Sequence, residues 1–116
     1  MTLPWRLVGL LRAIALASAL SACSKPIPPE KSAYVGDWRG TGMELSIYQD
    51  GNVEYSRAQG GARKSINMPL KEFQGDNFVV GVGPLSTTFV VSPPPHQDGS
   101  DWKMTVDGVE LTKSRD

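Results

Sequence analysis

The sequence predicts an all-β fold: a small antiparallel barrel or sandwich of seven to eight short strands, preceded by a leader and an extended linker. Apolar runs of about five residues show alternating polarity, and glycines and prolines separate them. Beyond residue 22, no segment follows the helical period. We therefore expect a leader over residues 1–22, a linker over residues 23–33 and a β domain over residues 34–116.

The leader has the order of a secretory signal, with Arg6 and Arg12 followed by an uncharged apolar run and then small residues. Arg12 interrupts the apolar run, so we do not expect a transmembrane helix, which needs about 20 such residues. Cleavage has two interpretations. In the first, Ala17-Ser18-Ala19 is an ordinary signal-peptidase site and Cys23 remains a free thiol.

The second interpretation rests on Leu20, Ser21, Ala22 and Cys23, which resemble the lipobox of bacterial lipoprotein precursors. The resemblance implies cleavage before Cys23 and a covalent diacylglyceryl lipid on its sulfur, with no other cofactor. It also implies a protein anchored in the cell envelope, since two or more acyl chains hold a protein firmly in a membrane. Ser24 stands where inner-membrane lipoproteins commonly have aspartate. This favours the periplasmic side of the outer membrane in a Gram-negative cell.

The linker that follows is rich in proline. Residues 24–33 include Pro26, Pro28 and Pro29 and show no amphipathic period. Such a segment favours extended polyproline II at about 3.1 Å per residue, so it predicts a spacer of roughly 30 Å between membrane and domain.

The β domain begins with Gly36 and Trp38, whose G-x-W spacing resembles the signature of lipocalins and related small barrels. The resemblance implies that the tryptophan closes one end of a barrel and that the domain carries a small apolar ligand. A core tryptophan in an antiparallel strand explains the same residues without a ligand.

The next two runs predict a hairpin. Leu45 and Ile47 alternate with polar residues, and Val53 and Tyr55 do the same after the turn. A two-residue turn would place apolar residues opposite polar ones. A three-residue turn pairs Ile47 with Val53 and Leu45 with Tyr55, and it puts Gly51 in the left-handed conformation of a G1 bulge.

In the middle of the domain, the strand boundaries are predicted from glycine and proline residues that interrupt the apolar runs. Residues 58–62 read as a flexible loop and residues 64–68 as a strand that Pro69 ends or places at a sheet edge. Leu70 and Phe73 are expected to cover the core after Pro69, and further strands are expected over residues 78–82 and 87–92.

Two features close the chain. Pro93, Pro94, Pro95 and His96 start the longest expected loop, over residues 93–100, and form a candidate partner-binding loop. The final hairpin turns at Asp107-Gly108, which predicts a type I′ turn that pairs Val106 with Val109 and Met104 with Leu111.

The residues needed for common catalytic chemistry are missing. His96 is the only histidine, so a catalytic triad, a Cys-His pair or a typical zinc site lacks its partners. Glu44 and Glu54 fall on one polar face, where solvated glutamates are common. We therefore expect neither an enzyme nor a metal site.

Charge and composition limit the classes of partner that the protein is expected to bind. The chain has 12 basic and 12 acidic residues, and because two arginines lie in the leader, the remainder is slightly acidic. It offers no basic surface for nucleic acid. The expected function is a lipid-anchored envelope protein whose non-catalytic β domain binds another envelope component. The alternatives are a lipocalin-like carrier of an apolar ligand and an inhibitor of an envelope protease or lysozyme.

Overall fold

The computed structural model describes residues 25–115, and these form one 3-10 helix and nine β-strands in a single antiparallel sheet. The all-β prediction is confirmed, with slightly more strands than expected. The elements are the 3-10 helix Pro29–Tyr34 and the strands β1 (Gly36–Gly40), β2 (Met43–Ile47), β3 (Asn52–Gln59), β4 (Ala62–Gln74), β5 (Asn77–Val82), β6 (Leu85–Phe89), β7 (His96–Asp98), β8 (Asp101–Val106) and β9 (Val109–Lys113).

The strands follow the order β6-β5-β4-β3-β2-β1-β9-β8-β7, so β9 returns to pair with β1. The sheet is not closed by a continuous ladder. The segment that follows β6 meets β8, where Val91 forms an isolated bridge with Val106 and the Ser92 amide donates to the Thr105 carbonyl at 3.0 Å. The expected choice between barrel and sandwich thus resolves to one curved sheet.

The concave side of this sheet is filled by side chains. The ring of Phe78 stacks on that of Phe89 with 5.0 Å between centroids, and Tyr55 meets Phe89 edge-on at 4.9 Å. Trp38 is fully buried in the same cluster, and its indole nitrogen donates to the Tyr34 carbonyl at 2.9 Å. Aromatic pairs of this kind contribute beyond the area they bury, so they stabilise a small domain efficiently.

The predicted register of the β2–β3 hairpin is confirmed. Ile47 pairs with Val53 and Leu45 with Tyr55, and Gly51 has a φ of +96°. The structure adds a second reason for glycine, because a Cβ at this position would collide with the backbone carbonyl of Lys25. The β8–β9 hairpin is also confirmed, with Val106 opposite Val109 across an Asp107-Gly108 turn of positive φ.

The β3–β4 connection differs from the predicted flexible loop. Gln59 pairs with Ala62 across a two-residue turn, and both turn residues, Gly60 and Gly61, have positive φ. Two glycines in succession suit a tight turn that follows the twist of the strands. The predicted loop therefore becomes a hairpin turn, and β4 extends over 13 residues.

Pro69 lies inside β4 and does not end it, in contrast to one of the two expectations. The Leu70 amide donates to the Gly51 carbonyl at 2.7 Å, and successive amides of a strand point to opposite edges. The nitrogen of Pro69 therefore faces away from β3, where no ladder bond is lost. This agrees with the other expectation, that Pro69 lies at an edge.

The N-terminal segment corrects the expected free spacer. Residues 25–28 are extended, but Ile27 is buried in the core and exchanges hydrogen bonds with Gln49, its amide donating to the Gln49 carbonyl at 2.9 Å. Residues Pro29–Tyr34 form the 3-10 helix, and the Tyr34 hydroxyl donates to the Asp76 carbonyl at 2.8 Å. Proline favours extended backbone, but burial of Ile27 and Tyr34 fixes the segment against the sheet. Residues 25–34 therefore do not supply the predicted separation of roughly 30 Å.

Lys113 joins the two ends of the described chain. Its ammonium nitrogen donates to the Ala33 carbonyl at 2.7 Å and lies 5.0 Å from the ring centroid of Trp38 and 5.5 Å from that of Trp102. Burial lowers the pKa of Lys113 below its usual value. Cation–π contacts offset part of this desolvation, because the charge faces aromatic rings and a carbonyl.

Candidate functional site

The N-terminal half of β4 has one free edge among the described residues. Residues 62–69 pair with β3, whereas pairing with β5 begins only at Leu70. Because the Leu70 amide points toward β3, the backbone groups of Arg63, Ser65 and Asn67 point to the free edge. The carbonyl of Pro69 points the same way, but proline supplies no donor. The edge thus offers three amides and four carbonyls for hydrogen bonding.

A groove of about 410 Å³ lies next to this edge on the convex face of the sheet. Its polar side chains come from outward positions of β2, β3 and β4, and the alternation of strand residues places them together. The lining residues are Glu44, Ser46, Glu54, Tyr55, Ser56, Ser65, Ile66 and Asn67.

The groove carries negative charge. The charge of Glu54 is the main cause that raises the pKa of the nearby Tyr48, with smaller contributions from burial and from Asp37. Arg63 approaches Glu44 at 3.9 Å, but both side chains are largely exposed and the pair is weak. The groove can therefore attract cationic groups and accept hydrogen bonds from them.

The two groove glutamates are diagonal neighbours on the β2–β3 ladder. Glu44 lies opposite Ser56, whereas Glu54 lies opposite Ser46, so the carboxylates sit diagonally across the β2–β3 ladder. Both side chains are solvent-exposed. This agrees with the expectation of solvated glutamates on the wet face of a hairpin.

The predicted loop at Pro93, Pro94, Pro95 and His96 is shorter and more ordered than expected. His96 begins β7, which pairs with β8, so the loop comprises residues 92–95 and the second half of the predicted loop is a hairpin. The Pro93 carbonyl accepts from the Thr105 amide at 3.1 Å, and a His96 ring nitrogen lies 2.9 Å from the Pro94 carbonyl. Solvent-accessible ion pairs of Lys103 with Asp98 and of Arg115 with Asp101 contribute little to the stability of this hairpin. The hydrogen bonds therefore fix the loop, with Pro93 exposed and Pro94 and Pro95 half-buried.

Other predicted site residues fall outside the description. Cys23 and the preceding Leu20, Ser21 and Ala22 lie outside residues 25–115. Within those residues, no helix is long and apolar enough to cross a membrane. The same residues contain no group of histidine, cysteine and acidic side chains that could hold a metal ion.

Sequence reasoning missed the free edge of β4. The alternation of Arg63, Ser65 and Asn67 with Lys64, Ile66 and Met68 marks one polar and one more apolar face of the strand, but it does not indicate an unpaired edge. Which edge stays unpaired depends on where β5 joins β4.

Comparisons with known proteins give no relative for this chain. No family model, no curated protein and no solved structure matches it.

Proposed function

We propose that this protein is a lipid-anchored component of the bacterial cell envelope, and that its β domain binds another envelope protein without catalysing a reaction. Cys23 carries the lipid, and the outer membrane is its location in a Gram-negative cell. The free edge of β4 is the observation that supports the binding function. Unpaired strand edges accept extended segments of other chains as an added strand.

The groove beside this edge indicates what kind of segment would bind. The amides of Arg63, Ser65 and Asn67 would form the ladder with the partner. Glu44 and Glu54 would then favour a partner strand with basic or hydroxyl-bearing side chains on the groove side. The positive charges of Arg63 and Lys64 along the strand disfavour pairing between two copies of the edge.

Inhibition of an envelope hydrolase is the second candidate. In the loop over residues 92–95, Ser92 and Pro93 are exposed, and hydrogen bonds to Thr105 fix both of them. A fixed loop loses little entropy on entering an enzyme cleft. Carriage of an apolar ligand is less well supported, because Phe78 and Phe89 occupy the space inside the sheet.

In-cell photo-crosslinking of the full chain tests the proposal. A photoreactive residue at Ser65, which is exposed, is expected to give one discrete adduct with an envelope protein. Ser65→Pro removes one edge amide without disturbing the β3 ladder. Loss of one backbone hydrogen bond, worth about 1 kcal/mol, is expected to weaken binding of the purified partner about fivefold.

Thr88→Pro is the matched control. The backbone of Val90 forms hydrogen bonds with Asp107 and so points away from β5, and the backbone of Thr88, two residues earlier in the strand, points the same way. This variant removes an amide from the free edge of β6. Equal binding losses in both variants, or no adduct from Ser65, would contradict the proposal. Inhibition of a protease or lysozyme that is lost with Pro93→Ala would favour the second candidate instead.

A further inference from the structure

An apolar projection stands at the tip of the β5–β6 hairpin. Val82 and Leu85 pair across the turn and expose 59% and 65% of their surface, the two highest values among the large exposed apolar residues described. The turn residues Gly83 and Pro84 are exposed as well. Lys71 donates from its ammonium nitrogen to the Gly83 carbonyl at 2.7 Å, so the tip is tied to β4.

A groove of about 300 Å³ lies beside the tip of this hairpin, and Lys25 of the N-terminal segment forms part of its wall. Its two ionisable residues are both lysines. The lining residues are Lys25, Pro69, Leu70, Lys71, Gly81 and Val82. An apolar tip beside two cations is the combination that favours the interface of a membrane with anionic headgroups.

The described residues begin at Lys25, which lines this groove and follows the proposed lipid-bearing residue Cys23 by two positions. The carbonyl of Lys25 lies over Gly51, and the buried Ile27 fixes the segment further along. Cys23 precedes Lys25 by two residues, and two trans peptide units span at most about 8 Å. Acyl chains on Cys23 would therefore hold the groove close to the bilayer.

We propose that the tip formed by Val82 and Leu85, with the adjacent lysines Lys25 and Lys71, is a docking surface for the lipid bilayer. This rests on the proposed anchor at Cys23. The two apolar side chains enter the headgroup region, and the lysines contact anionic headgroups. The anchor thereby sets the orientation of the domain, since the tip and Cys23 form two separate points of attachment.

Fluorescence quenching by lipids tests this with the full chain, purified from bacterial membranes and reconstituted in phosphatidylcholine–phosphatidylglycerol vesicles. Leu85→Cys provides a labelling position at an exposed site, and Arg39→Cys on β1 is the matched exposed control. An acylated Cys23 does not react with a thiol-specific fluorophore. Nitroxide groups on the lipid chains are expected to quench the label at position 85 at least threefold more than the label at position 39.

Each other outcome overturns the proposal in a distinct way. Equal quenching at both positions, with acyl mass found on Cys23 by intact-mass analysis, refutes the docking surface and leaves the anchor intact. An unmodified Cys23 thiol overturns both the anchor and the docking surface. If the fluorescence change at position 85 depends on the protein-to-lipid ratio and not on the nitroxide lipids, the tip contacts another copy of the protein and not the bilayer.

Discussion

The hydroxyl of Tyr34 gives the domain a measurable sensitivity to alkaline pH. Tyr34 is 3% exposed, and its hydroxyl donates to the Asp76 carbonyl at 2.8 Å. Burial, with a smaller effect of the Asp76 charge, raises the pKa of Tyr34 to about 12 from its usual 10.0. The perturbation we consider is Tyr34→Phe, which keeps the ring contacts with Phe73 and Phe78 and removes the ionisable group.

The direction and size of the pH effect on the free energy of unfolding follow from proton linkage. Between pH 10 and 12 the unfolded chain loses the Tyr34 proton and the folded chain keeps it, so the free energy of unfolding falls as pH rises. A shift of two pKa units corresponds to about 2.7 kcal/mol when complete, and about 1.4 kcal/mol is lost by pH 11. At pH 7 the phenylalanine variant lacks one hydrogen bond, which costs about 1 kcal/mol.

Urea unfolding monitored by tryptophan fluorescence at pH 7 and pH 11 measures both effects. We expect the wild type to be more stable at pH 7 and the two proteins to be nearly equal at pH 11. Burial lowers the pKa of Lys113, and the charge of Glu54 is the main factor that raises the pKa of Tyr48, but both groups are present in each protein and cancel in the difference. The same stability difference at both pH values would refute the reasoning.

Three further predictions use the same assay. Ile27→Ala is expected to lower the free energy of unfolding by about 2–4 kcal/mol, since it removes a core side chain, whereas the exposed Pro26→Ala should stay within about 0.5 kcal/mol; similar values would show that the N-terminal segment is not part of the fold. Gly81→Ala should lower the free energy of unfolding by about 2–4 kcal/mol, because φ is +153° and the added methyl group meets a backbone carbonyl. At Gly83, φ is +58° but the space is open, so Gly83→Ala should lower it by only about 1 kcal/mol. Lys113→Gln should lower the free energy of unfolding at pH 7 by about 1–3 kcal/mol, because it weakens the contacts with the Ala33 carbonyl and the Trp38 ring. Because the pKa of Lys113 is lowered in the folded state, the wild type should gain stability as the pH approaches 10.5, and the variant should lack this gain. A gain that persists in the variant would contradict this.

The β2–β3 and β8–β9 hairpins could be predicted because the local alternation of apolar and polar residues determines their register. A one-residue slip in β2–β3 would place Leu45 and Ile47 opposite polar side chains, so the pattern leaves one solution. The Asp107-Gly108 turn was equally clear, since its sequence specifies the turn type.

The N-terminal segment could not be predicted because local and tertiary preferences disagree. Three prolines favour an extended chain, and only the packed sheet offers a place to bury Ile27. The free edge of β4 is likewise a tertiary property. It exists because β5 joins β4 at Leu70, and no local pattern in residues 62–69 records that position.

The hydrogen bond from Lys113 to Ala33 joins positions 80 residues apart, and the β1–β9 ladder closes at the same place. A chain that emerges from a translocation channel amino terminus first must therefore hold β1 with one edge unpaired until β9 has crossed. Trp38 would meanwhile lack the cover of its last neighbours. Contacts of such sequence separation slow folding, so under the export that we propose the first strand would stay exposed to chaperones until the last strand arrives.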